Sequence, residues 1–275
     1  MYKQIFEQSD LIIFDMDGTL YEGYEHFKLH TNNLLEKLSP ENQEKFKEIY
    51  NLVLEGKHPL QIGKIYDADR DLFWSWDPFE EKLIEARNWN DEVIEVEDAP
   101  SHMAAQDFDF INWVPIGDGW WPPYAIARHF GLSVVDIQES YNLTKKQMAE
   151  KEGYLNQTPG LKEYLMELKK EKILIVCTNS DEADAKRLLR FLDIDQCFHE
   201  LIPSALKPVM TKKYFLHVLD KYKVEPQKAV SVGDNYMNEI APALQLGMYA
   251  VWLTNVTEKP VEDERLILTE TLAQE

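Results

Sequence analysis

Apolar residues in this chain fall into short unbroken runs, separated by stretches where they recur every three or four positions. The runs are LIIF (11–14), ILIVCT (173–178), AVSV (229–232) and YAVWL (249–253). Each is short, continuous and rich in branched side chains, the pattern of strands buried on both faces in a parallel sheet. LKEYLMELKKE (161–171) precedes the second run, and DEADAKRLLRFL (181–192) and KKYFLHVLDKY (212–222) lie between the second and third, all with apolar residues at helical spacing. Strands alternating with helices predict an α/β fold with a doubly wound, mainly parallel, Rossmann-like sheet.

The stretch from 21 to 157 breaks this rhythm. HFKLHTNNLLEKL (26–38) and NQEKFKEIYNLVL (42–54) predict two amphipathic helices, with SPEN (39–42) as turn and helix start. VVDIQESYNLTKKQMAEKEG (134–153) predicts another helix. The middle reads as irregular, with Pro78, Pro100, Pro115, Pro122 and Pro123, and six of the seven tryptophans fall within the stretch. Residues 1–20 and 158–275 are therefore expected to form the α/β core domain. Residues 21–157 are expected to form a mostly helical inserted domain with its own small core, and QTPG (157–160) marks the return.

Composition narrows the function. With 275 residues and 44% hydrophobic content, the chain is long enough for a sizeable core and is not a disordered polymer. A net charge of −20 opposes nonspecific binding to nucleic acid or anionic membrane. An anionic substrate would need a local positive centre, such as a metal ion or one well-placed Lys. Two cysteines, Cys177 and Cys197, are too few for a disulfide framework and fit a reducing compartment. The start, MYKQIFEQSD, lacks a signal-peptide pattern, and no apolar run approaches membrane-spanning length. A cytoplasmic protein with no membrane or nucleic-acid partner is expected.

The candidate chemistry sits at the ends of the apolar runs. In open α/β sheets, ligands bind beyond the carboxyl ends of the strands. Asp15 and Asp17 follow the first run, Thr178 and Asn179 close the second, and Gly233 and Asp234 follow the third. In a regular strand Asp15 and Asp17 would share a face, and two nearby anions would raise one pKa; a bend at Gly18 would separate them instead. Either arrangement lets one carboxylate stay ionised while the other carries a proton, as a nucleophile and a general acid require. A bound Mg²⁺ would offset the charge on Asp15 and Asp234. Singly, each piece has a bland reading. DxDG can be a turn, TNSDEAD (178–184) is also a good helix start, and IGDG (116–119) repeats the Gly-Asp pair inside the insert as a plain turn.

Taken in order, the pieces resemble the motifs of the haloacid dehalogenase superfamily of phosphotransferases. The first motif resembles IIFDMDGTL (12–20), the second VCTNS (176–180), the third LKP (206–208) and the fourth SVGDNYMNEI (231–240). The resemblance covers the α/β part, about half of the chain. It implies that Asp15 attacks phosphorus and forms an aspartyl-phosphate. Asp17 would protonate the leaving oxygen and then activate water. Thr178 would hydrogen-bond the phosphoryl group, with Asn179 beside it, and Lys207 would hold the nucleophile and phosphoryl oxygens. Asp234 would bind Mg²⁺ together with a carboxylate oxygen of Asp15 and the main-chain carbonyl of Asp17. The insert would be the family's cap, a lid that excludes water and selects the substrate.

The match has departures. Glu239 stands where the family usually has a second Asp, and being one methylene longer leaves direct, water-mediated or no metal contact open. Lys212 and Lys213 compete with Lys207, but both sit inside a predicted helix, where a solvated face is expected. The resulting expectation is a Mg²⁺-dependent phosphatase acting on a small phosphorylated metabolite. A phosphomutase using the same residues and a catalytically idle binding protein are the alternatives. Among smaller features, His26 and His30 stand at i and i+4. No third metal ligand is evident, so a surface helix is expected, with substrate contact kept open. Cys177 is expected to be buried and inert, the tryptophans to form the core of the insert, and GDGWWPPY (117–124) to offer one or two pocket-lining rings. The window 61–110, with fourteen Asp/Glu against four Lys/Arg, is expected to be a solvated face.

Overall fold

The computed structural model describes residues 2–22, 25–150, 156–255 and 261–274. The chain divides into two compact units, Met1–Glu22 with Leu155–Glu275, and Gly23–Tyr154.

The first unit is built on a six-stranded sheet. Its strands run Glu200–Ile202, Ile173–Cys177, Leu11–Phe14, Ala229–Gly233, Tyr249–Leu253 and Leu266–Thr269 across the sheet, every neighbouring pair parallel. In chain order this is third, second, first, fourth, fifth and sixth, the doubly wound arrangement. The four apolar runs are four of these strands. The two that sequence reading passed over are the edge strands, only three and four residues long. All four residues of Leu11–Phe14 are buried, as the unbroken apolar run requires of a central strand. Leu11, Ile13, Ile175 and Cys177 pack with Phe215, Val218 and Leu219 of the helix Thr211–Tyr222 and with Ala241 and Leu244 of the helix Ala241–Gln245. Phe14, pointing the other way, meets Phe6 and Phe198 edge-on at 5.9 Å each. The helix Glu182–Phe191 starts on Asp181, whose side chain accepts the Asp184 N–H, satisfying one of the orphan donors of its first turn.

The second unit holds the helices Glu25–Leu35, Pro40–Leu54, Trp121–His129 and Val134–Glu150. Residues 151–153 of the last predicted helix lie outside the described residues. The middle of the insert, read from sequence as irregular, is a five-stranded antiparallel sheet. Its order is Val93–Ile94, Lys82–Arg87, Leu72–Asp77, Lys64–Asp67 and Trp113–Pro115. Two of its turns are held by aspartate side chains. Asp67 Oδ1 accepts the Arg70 N–H, and Asp77 Oδ1 accepts the N–H groups of Phe79 and Glu80. Part of the acidic window is therefore turn chemistry, which hid the strands in a run of charge. One sheet face carries Tyr66 and Phe73 into a core with Leu34, Phe46, Val114 and Ile126.

The structure also corrects the expectation of a surface helix at His26 and His30. Both are buried, at 0% and 2% exposure, and both rings lie against Trp120 at 5.3 and 5.2 Å. Burial, helped by His26, pushes the His30 imidazole down to about 4, so the ring is neutral and packs as a core residue. Trp74 and Trp76 are buried as expected, and Trp76 Nε1 donates to the Met103 carbonyl at 2.7 Å. Among the described residues, no helix is long and apolar enough to cross a membrane.

Candidate active site

Asp15 is the first residue beyond the central strand, and its N–H continues the ladder to the Val232 carbonyl at 2.8 Å. Asp234 follows the neighbouring strand Ala229–Gly233. Chain order reverses between these two strands, so both carboxylates stand at the switch point where doubly wound sheets bind ligands. Gly18 lets them approach. It has φ of +75°, and a Cβ there would stand 2.3 Å from Asp234 Oδ2. Any other residue would collide with that carboxylate and adopt an unfavourable backbone conformation as well.

A buried chain of charge runs across this edge. The Lys207 ammonium, 2% exposed, donates to Asp15 Oδ1 at 2.6 Å and to Glu239 Oε1 at 2.5 Å. Burial alone would lower the lysine, but the carboxylates of Asp15 and Glu239 outweigh it and hold the ammonium well above its ordinary range. Asp15 moves up. Burial raises it more than Lys207 lowers it, and the charge of Asp17 adds to the rise. Glu239 is aimed by local backbone geometry. Tyr236–Ile240 winds as a π-helix whose first N–H groups, of Met237 and Asn238, are accepted by Asn235 Oδ1. Glu239 Oε2 accepts the Asn235 N–H at 3.2 Å. Gly233 makes room, since a Cβ there would stand 2.6 Å from Glu239 Cγ. Both Glu239 oxygens are thus engaged by protein donors, and its evident part is to anchor Lys207.

Lys207 stands on a loop that Asn179 pins. Asn179 Oδ1 accepts the Lys207 N–H at 2.7 Å, and its Nδ2 donates to the Lys207 carbonyl at 3.1 Å. The side-chain amide imitates one rung of a sheet. Thr178, fully buried at the end of its strand, accepts the Ser180 N–H through Oγ1 at 3.1 Å. Lys212 and Lys213 lie in the first turn of the helix Thr211–Tyr222, and it is Lys207 that reaches Asp15.

Asp17 has two partners that sequence reading missed. Tyr21 donates its hydroxyl to Oδ1 at 2.5 Å, and Ser180 donates to Oδ2 at 3.1 Å. Tyr21 is buried. Its ionisation is pushed well above the ordinary range by burial and by the charges of Asp17, Asp15 and Asp234, so it stays a donor at any working pH. The signal available was position alone: Tyr21 closes DMDGTLY and Ser180 closes TNS. Cys177 is buried against this site as expected, and burial pushes its thiol up to about 12, where it is inert.

Fold and site together define a doubly wound α/β protein with an aspartate pair, a buried lysine and a further aspartate on one sheet edge. A model of the haloacid dehalogenase-like hydrolases matches residues 9–247, and the chain belongs to that family. Among curated proteins, it is 31% identical over 103 residues to a glyceraldehyde 3-phosphate phosphatase from Pyrococcus furiosus. That match covers 36% of this chain and 42% of the relative. Among solved structures, YfnB from Bacillus subtilis, a HAD-hydrolase bound to magnesium, aligns with a TM-score of 0.54 at 14% identity over 96% of this chain and 95% of its own. The haloacid dehalogenase-like protein SP0104 from Streptococcus pneumoniae aligns with a TM-score of 0.51 at 13% identity, covering 95% and 94%. These two likenesses establish the fold.

Proposed function

We propose that the chain is a Mg²⁺-dependent phosphatase that hydrolyses a small phosphorylated metabolite through an aspartyl-phosphate on Asp15. The observation that carries this reading is the buried Lys207 bridging Asp15 and Glu239, with Asp17 in the same carboxylate group. Lys207 holds the Asp15 carboxylate in place and offers positive charge to an incoming phosphoryl group. An Asp15 oxygen bonds to phosphorus as the bond to the leaving oxygen breaks, and Asp17 gives that oxygen its proton. Asp17, now ionised, takes a proton from water. The water oxygen bonds to phosphorus, and Asp15 departs as a carboxylate with release of inorganic phosphate.

Among the described residues, no three His, Cys, Asp or Glu side chains form a metal cage. The reading asks for fewer: the carboxylates of Asp15 and Asp234 and the main-chain carbonyl of Asp17, all hard oxygens of the kind Mg²⁺ takes. The residues fit this, since the carboxylates of Asp15, Asp17 and Asp234 all bear on the Tyr21 hydroxyl and Gly18 opens the approach to Asp234. Bound there, Mg²⁺ would neutralise charge on the phosphoryl oxygens. The curated relative's name supports a small phosphorylated metabolite as the substrate class. The insert, in the sequence position of the family's cap, is where we place substrate selection.

The test is turnover of a chromogenic aryl phosphate. Activity is expected with Mg²⁺, is lost on chelation, and falls about 10⁴-fold in Asp15→Asn, as when a covalent nucleophile is removed. Activity surviving that substitution would remove the covalent route. Failure to hydrolyse any phosphoester in a broad panel would overturn the phosphatase reading in favour of a binding protein.

A further inference from the structure

The inserted unit contains a cavity of about 260 Å³ that the proposed chemistry leaves unused. It lies beside the turn that follows the helix Pro40–Leu54, over the sheet face that carries Tyr66 and Phe73. Register explains its lining. Lys64 pairs across strands with Ser75, and Phe73 pairs with Arg87, so these side chains share one face. Lys57 and His58 enter from the turn, and Asp91 closes the far side. Three cationic side chains thus meet one carboxylate in a chain of net charge −20.

The charges are not equally occupied. Arg87 spends Nε on Glu85 at 2.6 Å and Nη1 on Asp91 at 3.0 Å. Lys57 holds an exposed ion pair with Glu55. Lys64 is half-buried, and its ammonium donates to the Ser75 hydroxyl at 2.7 Å, with no carboxylate in ion-pair range among the described residues. The carboxylates whose charge reaches it, Glu85 and Asp91, are each bonded to Arg87. His58 Nδ1 accepts the Leu60 N–H, so the neutral ring carries its proton on Nε2. Burial lowers Lys64, and Arg87 lowers it further, by more than the charges of Glu85 and Asp91 raise it.

We propose that this cavity is an anion site that takes a phosphate group, held by the Lys64 ammonium and Ser75 hydroxyl with Arg87 and Lys57 at its rim. A half-buried ammonium with protons to spare, a hydroxyl and a guanidinium form a donor set suited to a phosphate oxyanion. The volume is at the small end for ligand pockets and suits a small phosphorylated metabolite or inorganic phosphate. The site is independent of Asp15 and does not require the chain to be a phosphatase.

Trp89 reports on it, because its ring lies 5.3 Å from His58 and 4.7 Å from Phe73. The full chain, ¹⁵N-labelled on its indoles, is titrated with inorganic phosphate at constant ionic strength. The Trp89 signal is expected to shift saturably. Lys64→Gln is expected to weaken that response about tenfold or more, the worth of a charge-assisted contact, with the other indole signals in place. Ser75→Ala, which keeps the charge, should weaken it less and guards against misfolding of the first variant. A Trp89 signal that phosphate leaves unmoved, or one that titrates alike in wild type and both variants, overturns the site. Acetate moving it as strongly as phosphate overturns the phosphate assignment. Aryl-phosphate turnover, measured alongside in Lys64→Gln, tests the active-site reading separately.

Discussion

Lys207 in the α/β unit and His30 in the inserted unit are equally buried, at 2% exposure, yet they end in opposite states. Lys207 has two carboxylates on its ammonium and stays charged. His30 has the Thr144 hydroxyl at 3.4 Å, aromatic neighbours and a second histidine, and it is neutral. Desolvation acts on both, and the partner within reach decides the outcome. Charge kept ionised inside a fold is expensive and is therefore informative about chemistry, whereas a neutralised ring is packing.

The sharpest way to break this contrast is to remove the buried cation. Lys207→Met takes the shared cation from Asp15 and Glu239, and the expected loss is about 3–5 kcal/mol of stability, read by chemical denaturation, together with loss of turnover. Adding Glu239→Gln should return part of the stability and none of the turnover. If the double variant is no more stable than the single one, Glu239 does not anchor Lys207.

The other half of the contrast makes a pH prediction. The His30 imidazole sits at about 4 in the fold against 6.5 when unfolded. The unfolded chain therefore binds the extra proton first, and stability from this group is full above pH 6.5 and lost as pH falls toward 4. The span is about 3 kcal/mol. Melting followed by tryptophan fluorescence should show this slope in wild type and a flatter one in His30→Gln. Equal slopes would mean that the ring does not titrate as a buried base.

A smaller effect separates positioning from packing within the site. Tyr21→Phe removes the donor to Asp17 Oδ1 but keeps the ring. Turnover of esters with poor leaving groups should fall about tenfold, the worth of one charge-assisted hydrogen bond, while good leaving groups are nearly unaffected. A uniform loss across leaving groups would reduce Tyr21 to a packing residue.

Asp15, Asp17, Thr178, Lys207 and Asp234 were legible because each follows a strand-like run or matches a motif in order. Their partners were not. Ser180 and Tyr21 carry no periodic signal, and the two bonds by which Asn179 holds the backbone of Lys207 have none either. The sheet of the insert was hidden because Asp67 and Asp77 build its turns, so charge density masked the strands.

By itself the sequence determined the alternation of strand and helix, the interruption after the first strand and the polar residues at the strand ends, because burial on two faces and helical periodicity are local, repeated constraints on residue type. Only the tertiary structure decided which buried groups keep their charge, which carboxylate oxygens are already held and where a half-buried ammonium meets a hydroxyl. Those outcomes depend on distances between residues far apart in the chain, and no local pattern encodes them.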